Sequence, residues 1–199
     1  MNNTLETLKT KNENIINNKQ KKKKNKKLPE KTNFKVVLLG TYGSGAKTSL
    51  INRIMYDKFE LSTLVTGGFS YCTKVIDLIN GKKIVLDIWD TSFNMIGIPS
   101  NKLVLENTDC VVLGFEVISD KSFKEIKDVW YPYAKENTDT DLIYLIGNKI
   151  DLINERKVTE KQALNLAIDY NLRYFETSCK ENIGIKEFLD DLVVQLSKI

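Results

Sequence analysis

Four short stretches carry side chains suited to binding a phosphorylated ligand. The first, G-T-Y-G-S-G-A-K-T-S-L from Gly40 to Leu50, follows the apolar run Phe34 to Leu39. Backbone N–H groups of a Gly-rich turn, backed by a helix N-terminus, make a site for anionic phosphate. Its candidate residues are Gly40, Tyr42, Gly43, Ser44, Gly45, Ala46, Lys47, Thr48 and Ser49. Lys47 would reach the outer phosphates, and the Thr48 hydroxyl would ligate Mg²⁺. The loop departs from G-x-x-x-x-G-K-[ST], because five residues separate Gly40 from Ala46, which replaces the second glycine. A plain Gly/Ser turn is the competing reading.

The second stretch is Trp89-Asp90-Thr91. An aspartate there can hold Mg²⁺ through water, since magnesium keeps part of its hydration shell. Alone, the carboxylate reads better as a strand-end cap. The third is Gly147-Asn148-Lys149-Ile150-Asp151-Leu152. Asp151 can accept two hydrogen bonds from guanine N1–H and N2–H₂, a donor pair that adenine lacks. Asn148 is suited to the base edge, and the Lys149 stem to a ring face. The fourth is Glu176-Thr177-Ser178-Cys179-Lys180, where the backbone N–H of Cys179 could meet guanine O6. Ser178 and Lys180 flank that contact.

These stretches need a scaffold that brings them together. Strands are expected at Phe34–Leu39, Phe69–Ile79, Lys83–Trp89, Cys110–Phe115, Leu142–Ile146 and Tyr174–Glu176. Asn80-Gly81 predicts a two-residue hairpin between the second and third. Helices are expected at Lys47–Tyr56, Asn101–Glu106, Asp120–Lys135, Thr159–Tyr170 and Ile185–Leu196. Thr159-x-x-Gln162 fits a capping box. Ile185, Phe188, Leu189, Leu192 and Leu196 form a helical stripe suited to core packing. Alternating strands and helices predict an α/β domain with one antiparallel edge, whose ligand lies beyond the carboxyl ends of the strands. Each of the four motifs falls at such an end.

Composition narrows the chemistry further. The 199 residues include no histidine, which removes His-based acid–base catalysis and ordinary zinc sites. Cys72, Cys110 and Cys179 show no metal-ligand spacing, and a reducing, cytosolic setting is expected. No apolar run is long enough to span a bilayer. Residues 1–33 hold ten lysines against Glu6, Glu13 and Glu30, a balance of +7 within a total of +4. This Asn/Lys-rich arm is expected to be disordered. Its segment 19–27 is a candidate for an anionic membrane surface, and no nucleic-acid role is expected.

With these motifs in order, the sequence resembles the Ras superfamily of small GTPases, and the Rab branch within it. Phe59 precedes Thr66 by seven positions, as the guanine-edge aromatic does in the family. Thr66-Gly67-Gly68-Phe69-Ser70-Tyr71-Cys72-Thr73-Lys74 is similar to the Rab switch I segment T-I-G-V-D-F-x-x-K. Ile88-Trp89-Asp90-Thr91 is similar to I-W-D-T, and Phe115-Glu116-Val117 with Ser122-Phe123 to Y-D-I…S-F. The resemblance covers residues 34–197 and implies the P-loop NTPase small GTPase fold, α/β, with a six-stranded mostly parallel sheet, one antiparallel edge strand and about five helices. It implies a G domain at 34–199 that binds GTP or GDP with Mg²⁺ held by Thr48, Thr66 and Asp90. It also implies a catalytic group of Lys47, Thr66 and Asn94, with exchange factor, activating protein and effectors at 62–74 and 89–108.

The departures concern the γ-phosphate side. The family's D-T-A-G-Q reads Asp90-Thr91-Ser92-Phe93-Asn94. Phe93 replaces a glycine that meets the γ-phosphate, and Asn94 is one methylene shorter than the glutamine that orients water. Positioning dominates phosphoryl transfer, so slow hydrolysis is expected. If the Ala46 position needs positive φ, alanine there strains the backbone. The resemblance also places Val104 where a partner-facing aromatic completes a trio with Tyr71 and Trp89. Rab chains normally end in prenylated cysteines, whereas this sequence ends Leu196-Ser197-Lys198-Ile199.

The expectation is a monomeric cytoplasmic switch in vesicle or membrane traffic, peripheral on an intracellular membrane. A pseudo-GTPase acting as a non-catalytic interaction module is the alternative. A P-loop kinase or ATPase fits poorly, because Asp151 selects against adenine.

Overall fold

The computed structural model describes residues 31–41, 46–60, 69–78, 81–91 and 102–199. Six strands, β1 Asn33–Gly40, β2 Phe69–Asp77, β3 Lys83–Thr91, β4 Cys110–Glu116, β5 Ile143–Asn148 and β6 Arg173–Thr177, form one sheet in the order β2-β3-β1-β4-β5-β6. β2 pairs antiparallel with β3, and every other pairing is parallel. Strand direction reverses only at the β2 edge, as the alternation of strands and helices predicts.

Apolar sequence explains the layering. β4 and β5 are buried along their whole length, as parallel strands covered on both faces must be. In β1, alternate residues face opposite ways. Val36 and Leu38 join Leu50, Ile54, Phe188 and Leu192 in one core cluster, built with α1 (Ala46–Tyr56) and the C-terminal helix. Val37 and Leu39 join Val111, Ile126, Trp130 and Leu166 in the other. The predicted stripe on the C-terminal helix is buried at Ile185, Phe188, Leu192 and Leu196, with Leu189 partly so.

The remaining helices are α2 (Lys102–Leu105), α3 (Asp120–Glu125), α4 (Tyr131–Asn137), α5 (Glu160–Asp169) and α6 (Ile185–Leu196). Thr159 and Gln162 close both arms of the predicted capping box on α5. The continuous helix expected over Asp120–Lys135 is interrupted by a π segment, Ile126–Trp130, between α3 and α4. Tyr131 N–H donates to Ile126 O there. Pro132 follows, and a proline ring clashes with the carbonyl four residues earlier, so the widened turn accommodates it.

The hairpin also differs from expectation. Leu78 N–H donates to Lys82 O at 2.8 Å and Gly81 N–H to Leu78 O at 2.9 Å. The loop therefore closes on Leu78 and Lys82 with three residues between them, not two. Gly81 has φ +76°, the left-handed position such loops require. Ile79 and Asn80 lie outside the described residues.

The parallel strands all run the same way, so β1, β3, β4, β5 and β6 end on one edge. The chain turns to one side of β1 for β2 and β3 and to the other for β4, β5 and β6, placing a switch point at Gly40. A Cβ on Gly40 would lie 2.3 Å from Gly114 O on β4, so only glycine permits this close pairing.

Candidate functional site

The phosphate-side residues that are described converge beside Gly40. α1 starts at Ala46, directly before Lys47. Lys47 is 7 % exposed, and its Nζ donates to Gly40 O at 2.8 Å and Thr41 O at 3.1 Å. Burial pushes this ammonium below its ordinary pKa, and the Asp90 carboxylate opposes the shift. Thr48 Oγ1 donates to Asp90 Oδ2 at 2.6 Å. Asp90 is buried as the penultimate residue of β3, opposite Ser70, so β3 runs two residues past its expected end at Trp89. Thr91 Oγ1 donates to Leu38 O at 2.5 Å and locks that end against β1. Ser49 is buried beneath the first turn of α1.

The base-side residues meet where β5 and β6 end. Asn148 is buried, and its Oδ1 accepts from Cys179 N–H at 3.2 Å and Thr177 Oγ1 at 3.3 Å. The Cys179 amide expected to meet the base thus donates to Asn148 in this structure. Ser178 Oγ donates to Asp151 Oδ1 at 2.6 Å, orienting the carboxylate. Lys149 adopts φ +69°, and its ammonium pairs with Glu116 at 2.5 Å. Burial raises the Glu116 carboxyl, and the Lys149 contact works against that shift. Phe59 is half-buried against the core cluster of Leu50, Ile51 and Ile54. Lys180 is exposed beyond β6.

Several supporting residues escaped sequence reasoning. Arg53 Nε donates to Cys179 O at 2.9 Å and Nη2 to Lys180 O at 3.2 Å. Thr41 Oγ1 donates to Glu125 Oε2 at 2.6 Å, fastening the loop entry to α3. Arg156 binds Glu176 with both guanidinium arms at 2.8 Å, and Tyr174 adds a bond at 2.7 Å. All three contacts link separate segments of the chain, and Arg53, Glu125, Arg156 and Tyr174 lay outside the four motifs, whereas Thr41, Glu176, Cys179 and Lys180 lay inside them. Tyr42, Gly43, Ser44, Gly45, Thr66, Phe93 and Asn94 lie outside the described residues.

This arrangement places hard oxygen donors, a buried ammonium and a carboxylate oriented by a serine hydroxyl along one sheet edge. The sequence matches the Ras family over residues 35–198. The chain is a Rab-like member of the Ras family. It is 33% identical over 160 residues to Ras-related protein Rab-13 of Canis lupus familiaris, covering 80% of this chain and 77% of that protein. Ras-related protein Rab-8B of Homo sapiens is 33% identical over 155 residues, covering 77% of this chain and 73% of that protein.

The Rab-like chain carries an exposed aromatic surface next to the site. Tyr71 and Phe69 flank Trp89 with ring centroids 5.1 and 5.5 Å away, and both are 53 % exposed. Val104, at the position where the resemblance puts a partner-facing aromatic, is buried in the core at 4 % exposure. The second ring beside Trp89 comes from Phe69. Of the two expected partner segments, only Phe69 to Lys74, Trp89 to Thr91 and residues 102–108 are described. Among the described residues no helix is long and apolar enough to cross a membrane.

Proposed function

We propose that this Rab-like protein binds GTP and GDP together with Mg²⁺ and switches between their two states in membrane traffic, with slow intrinsic hydrolysis. The observation that carries this reading is the convergence of two half-sites on one sheet edge. Lys47, Thr48 and Asp90 form the phosphate side, and Asn148, Asp151 and Cys179 form the base side.

The donor set suits the proposed metal. Thr48 Oγ1 and Asp90 Oδ2 are oxygen donors 2.6 Å apart, and hard cations prefer oxygen. When bound, Mg²⁺ would neutralise phosphate charge. Thr48 and Asp90 would hold it, with Thr66 joining in the triphosphate state. Lys47 would bind the outer phosphates, and Asp151 would select guanine by accepting from N1–H and N2–H₂.

Slow hydrolysis rests on Phe93 and Asn94. A shorter amide in place of glutamine misplaces the water it should orient, and orientation supplies most of the rate. The traffic role rests on the Rab resemblance. Single-turnover GTP hydrolysis, run beside Rab-8B, tests the catalytic part. A rate at least about tenfold below that of Rab-8B is expected, and an equal rate contradicts slow hydrolysis. The lysine-rich segment 19–27 is proposed to hold the protein on anionic membranes. Deleting residues 1–33 is expected to abolish sedimentation with anionic liposomes at low salt, and unchanged sedimentation removes that role.

A further inference from the structure

We propose that Arg53 is the positioning residue for Cys179, whose backbone N–H is the proposed reader of guanine O6. The inference rests on the guanine-binding reading above and adds a residue that lies outside all four motifs.

Arg53 sits on α1, six positions after Lys47, with its side chain 11 % exposed. Its guanidinium divides its donors between two loops. Nε and Nη2 donate to Cys179 O and Lys180 O at 2.9 and 3.2 Å. Nη1 donates to Asp57 O and Asp57 Oδ1, each at 2.9 Å. Asp57 has φ +52° just beyond α1, and its Oδ1 also accepts from Asn182 Nδ2 at 3.2 Å. The loop is closed behind by a two-way bridge between Ser178 and Ile183.

Cys179 is therefore held from both ends. Its N–H donates to Asn148 Oδ1, and its C=O accepts from Arg53 Nε. The two contacts fix the tilt of that residue, and guanine O6 would share its N–H with Asn148 Oδ1 as the second acceptor of a three-centre bond. A planar fork is needed to satisfy two successive carbonyls and an aspartate together, which a lysine ammonium cannot do. The helix that carries Lys47 and Thr48 thus also sets the base-side loop.

A simple tertiary staple would behave differently. Its loss would weaken binding of every guanine analogue alike. A positioning role affects the contact to O6 and spares the contacts to Asp151.

The test compares the full chain with Arg53→Gln and Arg53→Lys, using GDP and 6-thio-GDP as competitors of a fluorescent GDP. The thio analogue keeps N1–H and N2–H₂ but replaces the O6 acceptor with sulfur, a weaker acceptor. The wild-type chain is expected to prefer GDP. Arg53→Gln should lower GDP affinity about tenfold while leaving 6-thio-GDP within about twofold, the size of one neutral hydrogen bond. Arg53→Lys should fall between the two. Amide exchange over residues 178–182 should quicken in Arg53→Gln. Equal weakening of both nucleotides, or GDP binding and loop exchange both unchanged, overturns the proposal alone. Failure of the wild-type chain to bind either nucleotide removes the guanine reading itself, and the proposal with it.

Discussion

Thr48 Oγ1 donates to Asp90 Oδ2 across 2.6 Å, joining the first turn of α1 to the end of β3, 42 residues further along the chain. Two oxygens meet where the carboxyl ends of the central strands open, beside the buried Lys47 ammonium. The contact is a short charge-assisted hydrogen bond, and both of its oxygens are of the hard type that Mg²⁺ prefers.

Metal dependence follows from that pair. EDTA is expected to speed GDP release from the wild-type protein by about tenfold or more. Thr48→Ala should release GDP quickly with or without the chelator. Release followed by fluorescence checks this, and an EDTA response in Thr48→Ala equal to that of the wild type would contradict it.

The proposed base selection rests on Asp151, whose Oδ1 is oriented by the Ser178 hydroxyl. Asp151→Asn loses one acceptor and brings a donor NH₂ against guanine donors. GDP affinity should drop about 100-fold or more, because a charge-assisted pair is replaced by a mispaired one. Thermal stability should change little, since Asp151 is only half-buried. Calorimetric titration and a melting curve together separate the two effects.

Gly184 should tolerate no side chain. Its φ is +72°, and a Cβ there would sit 2.0 Å from Glu176 O. Gly184→Ala is expected to destabilise the fold by roughly 3 kcal/mol, a fall in Tm of roughly 10 °C. Gly81 also has positive φ (+76°) but nothing within 4 Å of its added Cβ. Gly81→Ala should therefore cost only about 1 kcal/mol, and equal losses at both glycines would refute the steric argument.

Acid sensitivity should centre on Glu176. Burial pushes its carboxyl up, but the bidentate Arg156 contact and the Tyr174 hydroxyl outweigh burial and hold it below the usual range. Asp191 is likewise depressed, as Arg173 and Tyr144 overcome burial. A depressed carboxyl binds fewer protons folded than unfolded, so its stabilisation is full above the ordinary carboxylate pKa of about 4 and fades as pH falls toward the folded value. Melting curves from neutral to acid pH should show Arg156→Met less stable at neutral pH. The variant should also lose less stability on acidification than the wild type.

The sequence was readable where the controlling interactions are local. The Thr159–Gln162 capping box spans three residues and needs no tertiary context. The apolar runs of β4 and β5 show their burial directly. The Asn80-Gly81 pair marked the turn, yet the Leu78–Lys82 hydrogen bond set its length, because strand register settles which residues close a loop. The π segment depends on how a helix absorbs Pro132, a choice made in packing Ile126 and Trp130. Arg53 looked like an ordinary helical arginine because its acceptors lie 126 and 127 residues away. The ring that Phe69 on β2 lays beside Trp89 was not legible either, because it depends on the β2–β3 register.

The central claim is that the converging half-sites hold a guanine nucleotide. Denaturing the purified protein and resolving the released material by ion-exchange chromatography tests it most directly. The account predicts about one GDP or GTP per chain, as expected of a site built from this many charge-assisted contacts. Release of no nucleotide, with no GDP or GTP bound on titration in the presence of Mg²⁺, would contradict it and leave a non-catalytic interaction module.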